Sequence, residues 1–224
     1  MNDIGHAIET IRARIGRACE AAGRDPAYVT LIAVTKTVDA VRVDEAIKAG
    51  IRDIGENYVQ EAKRKIEMIG PGRIRWHMIG HVQSNKIKYL PVLFDCVHTV
   101  DRPDMLDKLD RYGKPMDVLF EVNIAGERSK SGTDIEGLEK VLEKARSLKY
   151  LRPVGLMTMP PYTEDPEDAR PFFRKLRETL TEMNQKFSLD MKELSMGMSS
   201  DFEIAVQEGA TMVRIGTALF GARS

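Results

Sequence analysis

Eight short β-prone runs recur along the 224 residues, and a segment with helical character follows each one. They lie at 30–34, 51–55, 75–80, 95–100, 116–122, 154–159, 193–196 and 212–215. A strand that crosses over through a helix before meeting its neighbour pairs with it in parallel, and such sheets are buried on both faces. The run Thr30-Leu31-Ile32-Ala33-Val34 fits that burial, being apolar without alternation. Connections are short, and neither a linker nor a low-complexity segment interrupts the series. Eight units point to a closed (β/α)8 barrel, an α/β fold of one domain spanning residues 1–224. An open doubly wound sheet is the alternative, because the second and seventh runs are short. Neither GxGxxG nor GxxxxGK[ST] occurs, which removes the commonest dinucleotide and nucleotide sites.

An extra helix precedes the series. Ile4, Ile8, Ile11, Ile15, Ala18/Cys19 and Ala22 make one stripe over residues 3–22, stopped by Gly23. Asp165 before Pro166 starts another helix, with Ala169, Phe172/Phe173, Leu176, Leu180, Met183 and Phe187 as its inner stripe. Ser200 with Glu203 three residues on is a capping-box pattern, and a final short helix is expected over 217–222. Lys plus Arg and Asp plus Glu are each 34, so no basic excess favours a nucleic acid or a membrane surface. Cys19 and Cys96 lack CxxC spacing and read as buried free thiols of a reducing compartment. No signal-peptide pattern and no run of 18 apolar residues is present, so a cytoplasmic protein is expected. The four histidines show no metal-ligand spacing, and no metal is expected. Glu61-Ala62-Lys63-Arg64-Lys65 reads as a solvated helix face, and Met196, Met198 and Met212 as core and wall residues.

Ligands of parallel barrels sit at the carboxyl ends of the strands. The first strand ends in Thr35-Lys36-Thr37, and a lysine beside a low-dielectric wall loses its proton readily and attacks carbonyls. Glu56-Asn57-Tyr58 follows the second strand, Asn123 the fifth, and Thr158 stands near the end of the sixth. After the last two strands come Gly197-Met198-Ser199-Ser200 and Gly216-Thr217, with Arg214 inside the eighth. Each of these two loops sets a glycine and a hydroxyl at a helix start, which suits either simple N-capping or a shared anion site. A strand-one lysine facing a phosphate site implies a phosphorylated aldehyde or ketone. A sugar-phosphate aldolase and a pyridoxal 5′-phosphate (PLP) protein both satisfy that.

Several blocks carry a resemblance. They are Ala33-Val34-Thr35-Lys36-Thr37, Gly55-Glu56-Asn57-Tyr58-Val59-Gln60-Glu61, and Trp76-His77-Met78-Ile79-Gly80 with Gln83-Ser84-Asn85-Lys86. Glu127 to Lys130-Ser131-Gly132, Gly155-Leu156-Met157 and Leu194-Ser195-Met196-Gly197-Met198-Ser199 continue it. Gly209-Ala210-Thr211-Met212-Val213-Arg214-Ile215-Gly216-Thr217 and Phe220-Gly221 close it. Together they resemble the pyridoxal phosphate homeostasis proteins of the YggS/PROSC type, which share a TIM barrel with the N-terminal domain of alanine racemase. The resemblance implies that Lys36 holds PLP as a Schiff base, that Arg214 faces the pyridine nitrogen, and that Ser199, Gly216 and Thr217 hold the phosphate. It places Asn57 near the ring. The family often continues the first block with Lys-Pro where this chain has Val38-Asp39, which puts in doubt a second lysine acting there as a transient acceptor.

A carrier or regulator of PLP supply, with little or no turnover, is the expectation. Arginine stays protonated and leaves the pyridine nitrogen without a proton, so the ring is a weak electron sink. Racemisation also needs an acid/base group on each face of the substrate carbon. The related racemases take one from a second domain of a partner subunit, and this sequence is expected to carry none. The alternative is a PLP-dependent amino-acid racemase of low activity, completed by His77 or Tyr58, although His77 and His98 read better as strand-end or packed residues. PLP-dependent apoenzymes are the implied recipients, a monomer is expected, and Lys86 and Lys130 stand as secondary lysines near the mouth.

Overall fold

In a computed structural model, residues 3–70, 74–127 and 131–221 are described. Lys130 and the predicted helix end at Ala222 lie outside them. The order is α1 (Ile4–Ala21), β1 (Thr30–Val34), α2 (Ala40–Lys48), β2 (Asp53–Glu56), α3 (Val59–Ile69), β3 (Arg75–Met78), α4 (Leu90–Leu93) and β4 (Cys96–Val100). It continues with α5 (Pro103–Asp110), β5 (Met116–Glu121), α6 (Ile135–Ala145), β6 (Leu151–Met157), α7 (Arg170–Phe187), β7 (Glu193–Ser195), α8 (Phe202–Gln207), β8 (Met212–Ile215) and α9 (Thr217–Phe220). The eight strands close into one parallel barrel in sequence order, with β8 back against β1 through Ile32↔Arg214. The open sheet is thereby excluded.

Two apolar layers hold it. Ile32, Cys96, Leu119, Met157 and Met212 fill the barrel's inside, while the larger core lies between strands and helices. α1 buries Ile4, Ile8, Ile11, Ile15, Ala18 and Cys19, as its stripe predicts, and packs on α8 and α9. Arg14 pins that contact with bonds of 2.8 and 2.7 Å to Glu203. Both cysteines are free and buried. No described helix is long and apolar enough to cross a membrane.

The structure corrects several local expectations. β2 starts at Asp53, so Ile51 and Arg52 precede it, and β6 starts three residues early, at Leu151. Asp165 does cap a turn, but that turn is a 3-10 segment, Pro166–Ala169, ahead of α7. The Ser200–Glu203 capping box does not form: the cap residue of α8 is Asp201, whose Oδ1 accepts from Met198 N–H at 2.6 Å, and Glu203 is drawn off to Arg14. Lys65 is buried, so α3 does not present a wholly solvated face over 61–65. Met196 and Met212 are core residues as expected.

Candidate functional site

The carboxyl ends of β1, β2, β7 and β8 enclose a cleft of about 350 Å³, within the range of small-ligand sites. Lys36, Asn57, Ser199, Arg214, Gly216 and Thr217, all singled out from the sequence, line it together. Val34 and Ile79 supply apolar wall, and Met198 and Met159 flank it. A second cleft, of about 220 Å³, lies beside it and shares Lys36, Gly216 and Thr217 while reaching Arg42. Lys86 is not among the residues lining either cleft; it lies near the Tyr89 ring.

Lys36 stands just beyond β1, and the peptide groups on both sides of it are gripped. The Lys65 ammonium donates to the Thr35 carbonyl, and to Glu56 and Glu61 at 2.7 Å each. The same Glu61 oxygen accepts from Thr37 N–H at 2.6 Å. Thr37 has φ of 64°, a left-handed conformation unusual for a β-branched residue. Such strain persists where the surroundings over-determine it, and here the buried Lys65–Glu56–Glu61 cluster does so. Burial pushes the Glu56 carboxyl above its ordinary range despite Lys65 and Thr35.

Asn57 enters the cleft because the chain beneath it is pressed against Gly80, where a Cβ would come within 2.4 Å of the Asn57 carbonyl oxygen. Its side-chain oxygen Oδ1 is buried and has no hydrogen-bond partner among the described residues. Such an acceptor is open to a donor from water or from a bound ligand. On the far side the two glycine-hydroxyl loops meet: Ser199 Oγ accepts from Ala218 N–H at 3.3 Å, capping α9 from the neighbouring loop. Gly197, with φ of 91°, makes the turn that brings Ser199 there, and Ala205 leaves no room for its side chain.

Arg214 is buried at the end of β8, donating to Ser195 Oγ at 2.6 Å and to the Thr158 carbonyl at 2.9 Å. Burial lowers its guanidinium to about 10, against the opposing charges of Glu121 and Asp201. It is still a cation at neutral pH. Beyond Arg214 the strands join His77 and His98 to Ser195 and Asp53, two residues to which the sequence assigned no role. His98 Nδ1 lies 2.8 Å from Ser195 Oγ, His98 Nε2 lies 2.9 Å from His77 Nδ1, and His77 Nε2 lies 3.0 Å from Asp53 Oδ1. Both imidazoles are fully buried and hydrogen-bonded inside the barrel, in line with the strand hydrogen-bonding role read for them from the sequence. The donor atoms of His77, Cys96 and His98 come within 4.8 Å of one another although no sequence spacing suggests it. The facing imidazole nitrogens, however, are already spent on each other. Alternation along a strand was the signal for this layer, since Asp53 and Asn57 share one parity, as do Arg214 and Gly216.

The comparisons with known proteins identify the fold and the family. The family model "Alanine racemase, N-terminal domain" matches residues 7–224, which defines the class of barrel. Alanine racemase from Corynebacterium glutamicum superposes with a TM-score of 0.76 at 16% identity, covering 99% of this chain and 61% of that one, a likeness of fold alone. Nearer relatives are the pyridoxal phosphate homeostasis proteins of Pseudomonas aeruginosa (45% identical, covering 100% of this chain and 97% of the relative) and Aquifex aeolicus (42%, covering 96% of each). PipY of Synechococcus elongatus, solved with PLP bound, matches at 34% identity and a TM-score of 0.87, over 97% of this chain and all of that one. The chain belongs to the pyridoxal phosphate homeostasis protein family.

Proposed function

We propose that this chain is one PLP-binding domain that holds PLP on Lys36 and serves intracellular PLP homeostasis as a carrier or regulator of supply. The observation that carries this is the convergence, in one cleft, of a strand-end lysine, a buried guanidinium, an orphaned amide oxygen and a hydroxyl-lined corner between two loops. PLP, when bound, supplies an aldehyde that condenses with an amine and a ring that withdraws electrons. The cleft's residues fit that group. Lys36 offers the amine, Arg214 the contact to the pyridine nitrogen, Asn57 an acceptor at the ring, and Ser199, Gly216 and Thr217 the seat for the phosphate. The names of the relatives and the PLP bound in PipY support PLP as the ligand.

Retention without efficient turnover follows from two features of the chain. Arg214, a cation at neutral pH, does not protonate the pyridine nitrogen, so electron withdrawal stays weak. His77, considered above as a second acid/base group, has both nitrogens committed inside the barrel and does not line the cleft, while Tyr58 is exposed. A protein that holds PLP without consuming it can pass it to PLP-dependent apoenzymes.

The test is the visible spectrum of purified protein given PLP, for wild type and Lys36→Ala, before and after borohydride. A visible band in the wild type, removed by reduction with the label mapping to Lys36 and absent from the variant, is expected. A colourless wild type refutes PLP binding and leaves a cofactor-free aldolase; turnover of L-alanine at ordinary enzyme rates refutes the carrier role.

A further inference from the structure

Arg214, Ser195, His98, His77 and Asp53 come from five strands and form one unbroken series of hydrogen bonds through the barrel. The series starts at the mouth cleft, which Arg214 lines, and ends at Asp53, which lines a separate cleft of about 440 Å³ containing Arg12 and Arg52. Two of its three inner members are buried imidazoles whose protonated forms burial disfavours, so both are neutral at pH 7, and each carries one N–H and one lone pair.

Hydrogen counting fixes the direction. Arg214 can only donate, so Ser195 Oγ accepts from it and has its own O–H left to give to His98 Nδ1. His98 then carries its proton on Nε2 and donates to His77 Nδ1. His77 in turn donates from Nε2 to the Asp53 carboxylate. The reverse order would leave the Ser195 hydroxyl proton without this acceptor and turn a His77 lone pair on the carboxylate. Only one polarity satisfies both ends, and it runs from a cation to an anion.

We propose that Asp53, His77, His98 and Ser195 act as one polarised relay that positions Arg214 for the ring nitrogen of the cofactor. These four are positioning residues, because none of them lines the cleft. The inference rests on the PLP reading for its consequence, but the relay itself is a property of the cofactor-free chain. An arginine held at one nitrogen by Ser195 and at the other by the Thr158 carbonyl presents a preorganised face to the ring, whereas one left with the Thr158 bond alone can pivot and would have to be ordered at the moment of binding.

Two measurements test it. The first is nitrogen-15 NMR of histidine side chains in the PLP-free wild type at neutral pH. Both His77 and His98 should show the Nε2–H tautomer, and an Nδ1–H signal from either overturns the relay whatever the cofactor does. The second compares PLP affinity and Arg214 guanidinium hydrogen exchange in wild type, Ser195→Ala and Ser195→Thr. Ser195→Ala should bind PLP about tenfold more weakly, the scale of one hydrogen bond to a charged group, and exchange Arg214 protons faster, while Ser195→Thr restores both. Affinity within twofold of wild type in Ser195→Ala refutes the positioning role. A wild type that takes up no PLP defeats the cofactor reading instead, and the tautomers and Arg214 exchange then decide the relay alone.

Discussion

Lys65→Met tests whether the buried cluster beside Lys36 holds the site together. Lys65 is 4% exposed and the Glu56 side chain its ammonium meets is fully buried. Removing the ammonium leaves Glu56 facing Glu61 with no cation between them. The Glu56 carboxyl, already above its usual value of 4.5, then takes up a proton. Holding a carboxyl of that ordinary pKa neutral at pH 7 costs about 3 kcal/mol. Loss of the donor to the Thr35 carbonyl adds about 1 kcal/mol, and breaking a buried pair from one side costs about 3–5 kcal/mol by direct measurement. Urea unfolding followed by circular dichroism should therefore show Lys65→Met about 3–5 kcal/mol less stable than wild type at pH 7. The pH dependence has a definite sign. A carboxyl whose folded pKa lies above its unfolded value loses stability as pH rises from the unfolded value through the folded one. The deficit of the variant should thus shrink as pH falls from 7 to 5. Because Lys65 and Glu61 grip the peptides on either side of Lys36, PLP affinity should fall as well. A deficit under about 1 kcal/mol at pH 7, or one equal at both pH values, would refute the reasoning.

Three further outcomes are expected. Burial, with Asp101 adding to it, raises the Glu121 carboxyl from 4.5 to about 7 against the pull of Arg214. Wild-type stability should fall by about 3 kcal/mol between pH 4.5 and 7 on this account, and Glu121→Gln should remove that slope; parallel stability curves would refute it. Gly80→Ala drives a methyl into the Asn57 carbonyl, so thermal melting should show a loss of at least about 2 kcal/mol, and PLP affinity should drop with it. Ser199→Ala removes the acceptor for Ala218 N–H; thermal stability should fall by about 1 kcal/mol, and equilibrium titration should show a larger loss of affinity for PLP than for pyridoxal.

The eight units and the α1 stripe were legible because each is a local pattern, short apolar β-prone runs against a 3.6-residue stripe, with glycines and prolines at the stops, whereas closure of the sheet was decided only by pairing of β8 with β1. Boundaries slipped where tertiary pairing decided them, as at Asp53, whose register partners on both sides begin the strand there. The capping box failed because Glu203 had a better partner in Arg14, 189 residues away. Lys65 is the same lesson in charge: a run of polar residues on a helix looks solvated until the barrel rim supplies the Glu56 carboxylate and the Thr35 carbonyl.

By itself the sequence determined the kind of barrel, the strand-end lysine, and the glycine-hydroxyl loops after the last two strands, since in a parallel barrel the strand ends must share one face. Only the tertiary structure decided which groups meet. Ser199 caps a helix in the next loop, Asn57 is left with an orphaned oxygen, and Asp53, His77, His98, Ser195 and Arg214 join across five strands. Those contacts depend on barrel closure, which brings residues 97 positions apart within 2.8 Å in the case of His98 and Ser195. Periodicity within a segment carries no information about such a distance.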